Sequence, residues 1–245
     1  HRTTTPELLD GTRHLGQPAG GLSFASLFLA QASASFAVAT SRLTTRISDT
    51  QTQSTLFRTC TMATTPHLLA ADVLYNTDLL ALPPLNRWSS PFTSSLRHTT
   101  ERFLRYVTRQ EDPLPPHALQ LAHTPVSIGG IGHRDPSTAA IPSFVLPFAR
   151  SIHYAIAGIP MPNGRTISLP PVYTRTLAHW RSSSLKPFTL LRAYLPEILP
   201  ILFPKNCPTL AQYLKQPPRK GGLRTVYHHF KLLDLAVLPA ACPPE

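Results

Sequence analysis

The chain has 245 residues and a formal charge of +11, from 23 Lys+Arg against 12 Asp+Glu. Charged residues make up only 14%, against roughly 25% in an ordinary soluble protein, so the positive balance comes from scarce acids rather than abundant bases. With 42% hydrophobic residues, 27 prolines and three cysteines, the composition excludes a wholly disordered chain, a collagen repeat, a disulfide scaffold and an acidic tail.

Helical periodicity opens the chain. Phe24, Phe28, Ala32, Phe36, Ala39, Leu43 and Ile47 recur every three or four residues and predict one apolar stripe on a long helix. Ser48 with Gln51 resembles a capping box for a second helix carrying Leu56, Phe57, Cys60 and Ala63, which Pro66 stops. Leu68, Leu69, Val73 and Leu74 suggest a short third helix before the turn at Pro83-Pro84.

Ser90-Pro91 has the cap-plus-proline form of a helix start. On the helix that follows, Phe92, Leu96, Phe103 and Val107 cluster on one side at 100° per residue, while His98, Arg102, Arg105 and Arg109 cluster on the other. Glu111-Asp112-Pro113 is its expected end, and residues 113–116 read as a stiff connector. Three glycines within Gly129-Gly130-Ile131-Gly132 demand a tight turn. Asp135-Pro136 starts another helix, which Pro142 and Pro147 are expected to kink or split before Gly158 closes it.

Residues 159–171 read as a loop and an internal boundary. Beyond it lie helical stretches over 172–182, 187–203, 208–214 and 223–238. In the last, Val226, Phe230, Leu233 and Val237 share a face, with Lys220, Arg224, His228 and Lys231 roughly opposite. Alternating strand patterns are nearly absent. The expected class is mainly α, a proline-kinked helical array with little or no sheet.

Chemistry is sparse. The carboxylates are scattered with no D-D or D-x-D, so no metal-dependent phosphoryl-transfer centre is expected in this chain. His228-His229 are adjacent, and adjacent helical side chains point about 100° apart, which argues against a metal pair. There is no G-x-S-x-G elbow, and G-G-x-G lacks both the dinucleotide fingerprint and G-K-[ST]. Cys60, Cys207 and Cys242 form no C-x-x-C, which points to a reduced intracellular compartment. If the source is eukaryotic, the expected location is the nucleus.

Two apolar stretches are read as non-membrane. Residues 22–39 are interrupted by Gln31 and several serines, and 188–203 is too short to span a bilayer and contains Arg192 and Glu197. The chain opens at His1 with its first methionine at Met62, and is expected to be a piece of something longer.

Cations three and four residues apart on a helix face can lie along a phosphate backbone with little sequence discrimination. Two such rows and the +11 balance favour nucleic acid over a merely solvated outer face. Aromatic residues do not interleave with them, so backbone contact is preferred to base stacking. The alternative is an α-helical protein–protein scaffold whose arginines face an acidic partner.

Two stretches also carry a resemblance. One runs from Leu15-Gly16-Gln17-Pro18-Ala19-Gly20 through Ser48-Asp49-Thr50-Gln51-Thr52 to Pro66-His67-Leu68-Leu69. The other is Gly129-Gly130-Ile131-Gly132-His133-Arg134-Asp135 followed by Ala139-Ala140-Ile141-Pro142-Ser143. In order and spacing, over about residues 11–160, they resemble the region just after the polymerase palm in reverse-transcriptase-like proteins of non-LTR retroelements. His133 departs from that pattern, which commonly has Leu or Ile there.

The resemblance implies a thumb and its downstream connection, which grip a template–primer duplex, RNA–DNA or DNA. Leu15, Gly16, Pro18 and Gly20 would form the palm-to-thumb turn, and Gly129, Gly130, Gly132 and Arg134 the turn after the thumb helices. Residues 1–21 would then be the edge of an upstream palm, 22–158 the thumb-like domain and 159–245 a C-terminal helical region. The family's catalytic [YF]-x-D-D has no match here, so this chain alone is expected to be inactive. It is expected to need no cofactor; magnesium would belong to the palm of a parent RNA-directed DNA polymerase.

Overall fold

A computed structural model describes residues 11–14, 17–168, 179, 181–216 and 221–236. It is mainly α, about 68% helical, with two small two-stranded sheets among the described residues. The first sheet pairs β1 (Gly11–His14) with β2 (Gln17–Gly20) antiparallel, Gly11 opposite Gly20 and His14 opposite Gln17. Pro18 is buried on β2 and Gly20 ends it, whereas Leu15 and Gly16 lie outside the described residues. The Tyr75 hydroxyl donates to the Pro18 carbonyl (3.2 Å) and pins the hairpin to the body of the protein.

α1 (Leu22–Arg46) buries Ala25, Leu29, Ser33, Phe36 and Thr40. The buried stripe is therefore rotated from the expected one. Of that set only Phe36 is buried, Ala39 is exposed and the other five are half-buried. Small residues at 33 and 40 let a neighbouring helix approach where the phenylalanines would hold it off. α1 is long and apolar enough to cross a membrane by length and composition. Only 17% of its most apolar window is buried, with Leu27 and Val38 exposed.

α2 (Thr50–Leu56) is capped by Asp49, whose carboxylate accepts from the Thr52 amide (2.7 Å), rather than by Ser48. The expected helix through Ala63 breaks at Phe57 into a π-turn (Phe57–Thr61) and a 3-10 turn (Met62–Thr64). Pro66 does not stop a helix but sits in the first turn of α3 (Thr65–Asn76), where its missing N–H is not needed. The break turns Phe57 wholly inward.

Asp72 of α3 is the clasp between helices. Fully buried, its carboxylate accepts from Trp88 Nε1 (2.6 Å), Ser90 Oγ (2.6 Å) and Asn76 Nδ2 (2.8 Å). Burial raises its pKa against the pull of those three donors. Ser90 in turn caps α4 (Pro91–Thr108), accepting from the Thr93 amide (3.0 Å), so one carboxylate fixes both the place and the start of α4.

The expected connector at 113–116 leads into a further helix, α5 (Pro116–His123). Asp135 caps α6 (Pro136–Ala157) through the Ser137 amide (3.1 Å). α6 carries Pro142 and Pro147 without splitting. It is the central element, touching α3, α4, α7 (Lys186–Leu202), α8 (Leu210–Lys215) and α9 (Gly222–Ala236). One continuous core runs from Leu29 and Phe57 through Phe103, Ile141 and Ile152 to Leu195 and Phe230, on both sides of Gly158. After Gly158 a short ribbon pairs β3 (Ile159–Pro160) with β4 (Thr166–Ile167). The expected element at 172–182 falls almost entirely outside the described residues.

Candidate nucleic-acid interface

α4 is held by Phe92, Leu96, Phe103 and Leu104, all buried, with the Phe103 ring stacked on Phe57 at 4.2 Å. Its opposite side carries His98 and Arg102, both exposed, and Arg105, half-buried with its Nε enclosed and unpartnered. The helix ends at Thr108, short of the expected Glu111, so exposed Arg109 stands in its cap. Arg109 adopts left-handed backbone (φ 56°), and the amides of Arg109 and Gln110 donate to the Tyr106 and Arg105 carbonyls. This is a Schellman closure with arginine where glycine is usual. Among the described residues none of these four side chains is in an ion pair, whereas Arg97, a neighbour on α4, reaches Asp135 at 3.9 Å.

α1 lies beside α4. Ser33 bonds Ser95, and the Tyr106 hydroxyl donates to the Thr44 carbonyl (2.8 Å), an offset of 62 at both points, so the helices run parallel. Between them is a groove of about 270 Å³ lined by Thr40, Ser41, Thr44, Thr99, Arg102 and Tyr106. The parallel register brings Arg42 and Arg46 of α1, both exposed, to the same end as Arg102, Arg105 and Arg109. Both helix C-termini lie there, and their partial negative charge offsets repulsion among the arginines. Sequence reasoning missed Arg42 and Arg46, because they sit on a helix whose other residues signal only apolar packing.

The second basic row does not survive as drawn. Lys220 lies outside the described residues, Arg224 is exposed on the first turn of α9, and His228 is half-buried. Lys231 is buried (3% exposed), with Nζ 2.9 Å from Asp234 and 3.5 Å from Asp135, and it lies over the Tyr227 ring. Val226 and Phe230 are buried as expected, but Tyr227 and Lys231 join them while Leu233 faces solvent. α9 is thus rotated by about one position, drawn round by the two aspartates and by the seat of Tyr227.

That seat is the glycine turn. The Tyr227 hydroxyl donates between the carbonyls of His123 (2.6 Å) and His133 (3.1 Å) and accepts from the Asp135 amide (2.9 Å). A Cβ on Gly130 would fall 2.0 Å from the Thr124 carbonyl oxygen, and Gly132 needs φ +84°. The Gly132 amide donates to that same Thr124 carbonyl (2.8 Å). Gly129 takes left-handed backbone, and Arg134 leaves the turn half-buried.

His133 is wholly buried, edge-on to Phe57 and Phe103, with Nε2 3.4 Å from Ser54 Oγ and Nδ1 unpartnered. Burial, then His123 and Arg58, pushes its pKa down to about 4. Burial lowers His123 as well and raises Tyr227. Asp135 is pushed upward by burial, but His123, Lys231, Arg97 and the Thr138 hydroxyl together hold it below the usual carboxylate range. At neutral pH the cluster is two neutral imidazoles, a neutral phenol and a paired carboxylate. It locks the turn against α9 and offers no accessible acid or base. Among the described residues no group of three His, Cys, Asp or Glu side chains is placed to hold a metal ion.

No protein-family model matches the chain, and no curated protein or solved structure matches it significantly.

Proposed function

We propose that this chain binds nucleic-acid duplex without sequence preference, as the thumb and connection of a reverse-transcriptase-like protein. The observation that carries the reading is the end of the α1–α4 pair, where five arginines on two parallel helices stand without carboxylate partners among the described residues. From His98 to Arg109 the α4 row spans about 16 Å at 1.5 Å per residue, several phosphate steps of one strand. Cations in a line contact backbone rather than base edges, which gives affinity without a sequence code. In this reading no residue of the chain is catalytic, and the paired aspartates and divalent ions of polymerisation belong to a palm outside it.

A protein–protein scaffold is the second reading. What favours it is the exposed apolar face of α1, with Leu22, Leu27 and Val38 all exposed. Fluorescence anisotropy with a mixed-sequence RNA–DNA hybrid separates the two. The full chain should bind with a log–log salt slope of roughly −0.9 per arginine engaged. The variant R102Q/R105Q should lower the slope by about 1.8 while leaving helicity unchanged. A flat salt response, or an unchanged slope in the variant, would sink the duplex reading and leave the scaffold.

A further inference from the structure

Away from the α4 row, a second set of basic side chains lines a cleft of about 350 Å³ between the π-turn, the glycine turn and α9. Arg58 comes from the first of these, Arg134 from the second, and Arg224 with His228 from the third; Tyr227, Ser127 and Gly132 complete the wall. Among the described residues no carboxylate lines it. The nearest in sequence, Asp135, is taken by Lys231, by Arg97 and by the cap of α6.

The guanidiniums have few other duties. Arg58 donates one long bond, to the Ile131 carbonyl (3.3 Å), and Arg134 makes no hydrogen bond or ion pair among the described residues. Burial lowers the pKa of Arg134, so the surroundings penalise its charge, yet a guanidinium does not give up its proton in a protein. Three permanent cations brought to one hollow by three separate elements repel one another, and an entering anion would relieve that repulsion. Arg224 reaches open water, but Arg134 is half-buried and lies along no carboxylate among the described residues.

We propose that this cleft is a phosphate-binding site, taking a phosphoryl group through Arg58, Arg134 and Arg224. The ligand chemistry is that of a phosphomonoester or inorganic phosphate. Charge concentrated at one point suits a dianion better than the evenly spaced single charges of a backbone. The planar fork of an arginine suits phosphoryl oxygens, and the hollow has room for the group and several waters, each with a liquid share of about 30 Å³. Sequence reasoning could not assemble the site, because Arg58 and Arg224 are separated by more than half the chain. The site stands independently of the α4 row.

The test is the thermal stability of the full chain in inorganic phosphate against chloride of equal ionic strength, followed by titration calorimetry. Phosphate should raise Tm beyond the chloride control, since a ligand that binds only the folded state stabilises it. R134Q and R224Q should each weaken phosphate binding by about tenfold or more, the usual loss for one charge-assisted contact. R224Q, at an exposed position, keeps the test valid if R134Q folds poorly. R102Q/R105Q should leave the phosphate response intact even as it weakens duplex binding, so failure of one site is not mistaken for failure of the other.

A 5′-phosphorylated DNA oligonucleotide compared with its 5′-hydroxyl form then identifies the source. Preference for the former, lost in R224Q, assigns the cleft to a strand end. Equal binding of the two, with inorganic phosphate still bound, assigns it to a free phosphate. A phosphate response equal to that in chloride, or one unchanged in both single variants, overturns the proposal.

Discussion

Lys231 separates two readings of α9, one in which the residue contacts a phosphate backbone and one in which it ties the fold together, and Lys231→Met distinguishes them. Methionine keeps most of the stem over Tyr227 and removes the charge. Breaking a buried ion pair by deleting one partner costs about 3–5 kcal/mol. Here Asp234 is 34% exposed at its side chain and can rehydrate. Asp135, at 14%, keeps Arg97 at 3.9 Å, the Ser137 amide and the Thr138 hydroxyl. The low end applies, about 3 kcal/mol, which for a chain of this size lowers Tm by about 6–12 °C.

Calorimetry at pH 7 measures the shift. The double variant K231M/D135N should be less destabilised than the sum of its parts, because each single change leaves the other group uncompensated. The acid limb gives a second readout. Asp135 is depressed in the folded state, so its contribution is present above the unfolded carboxylate value and is lost as pH falls through the folded one. K231M should flatten that loss below about pH 4. Well below its Tm, K231M should bind a duplex with the wild-type salt slope. An unchanged Tm together with a slope smaller by about 0.9 would refute the buried tie and restore Lys231 to the surface.

Two further outcomes are expected. His133 has a folded pKa near 4 against an ordinary 6.5, so the unfolded chain binds the proton first, and acidification from pH 6.5 to 4 erodes stability by on the order of 3 kcal/mol. H133L removes that share and the unpartnered Nδ1 with it. Its Tm should then fall less steeply with acid and at pH 7 should be at least that of the wild type; parallel Tm–pH curves would contradict the assignment. R109G relieves left-handed backbone at the end of α4 and should gain about 1 kcal/mol, a rise in Tm of about 2–4 °C, while the duplex salt slope shrinks by about 0.9. A lower Tm would contradict the cap geometry, and an unchanged slope would take Arg109 out of the interface.

By itself the sequence determined the helical class and the elements whose ends are written locally. Ser90-Pro91 and Asp135-Pro136 cap α4 and α6 because the side chain, the proline and the amides they serve lie within three residues of one another. The basic face of α4 was legible for the same reason, since its apolar and charged residues separate cleanly at helical spacing. The rotations of α1 and α9, the inward turn of Lys231 and the meeting of Arg58 with Arg134 and Arg224 were decided by tertiary structure alone. Ser33 and Thr40 matter only because α4 comes to lie against them. Lys231 turns inward only because Asp135, 96 positions away, waits there with a charge to be balanced. Periodicity reports which residues share a side of a helix; what that side faces depends on partners that only the folded chain brings near.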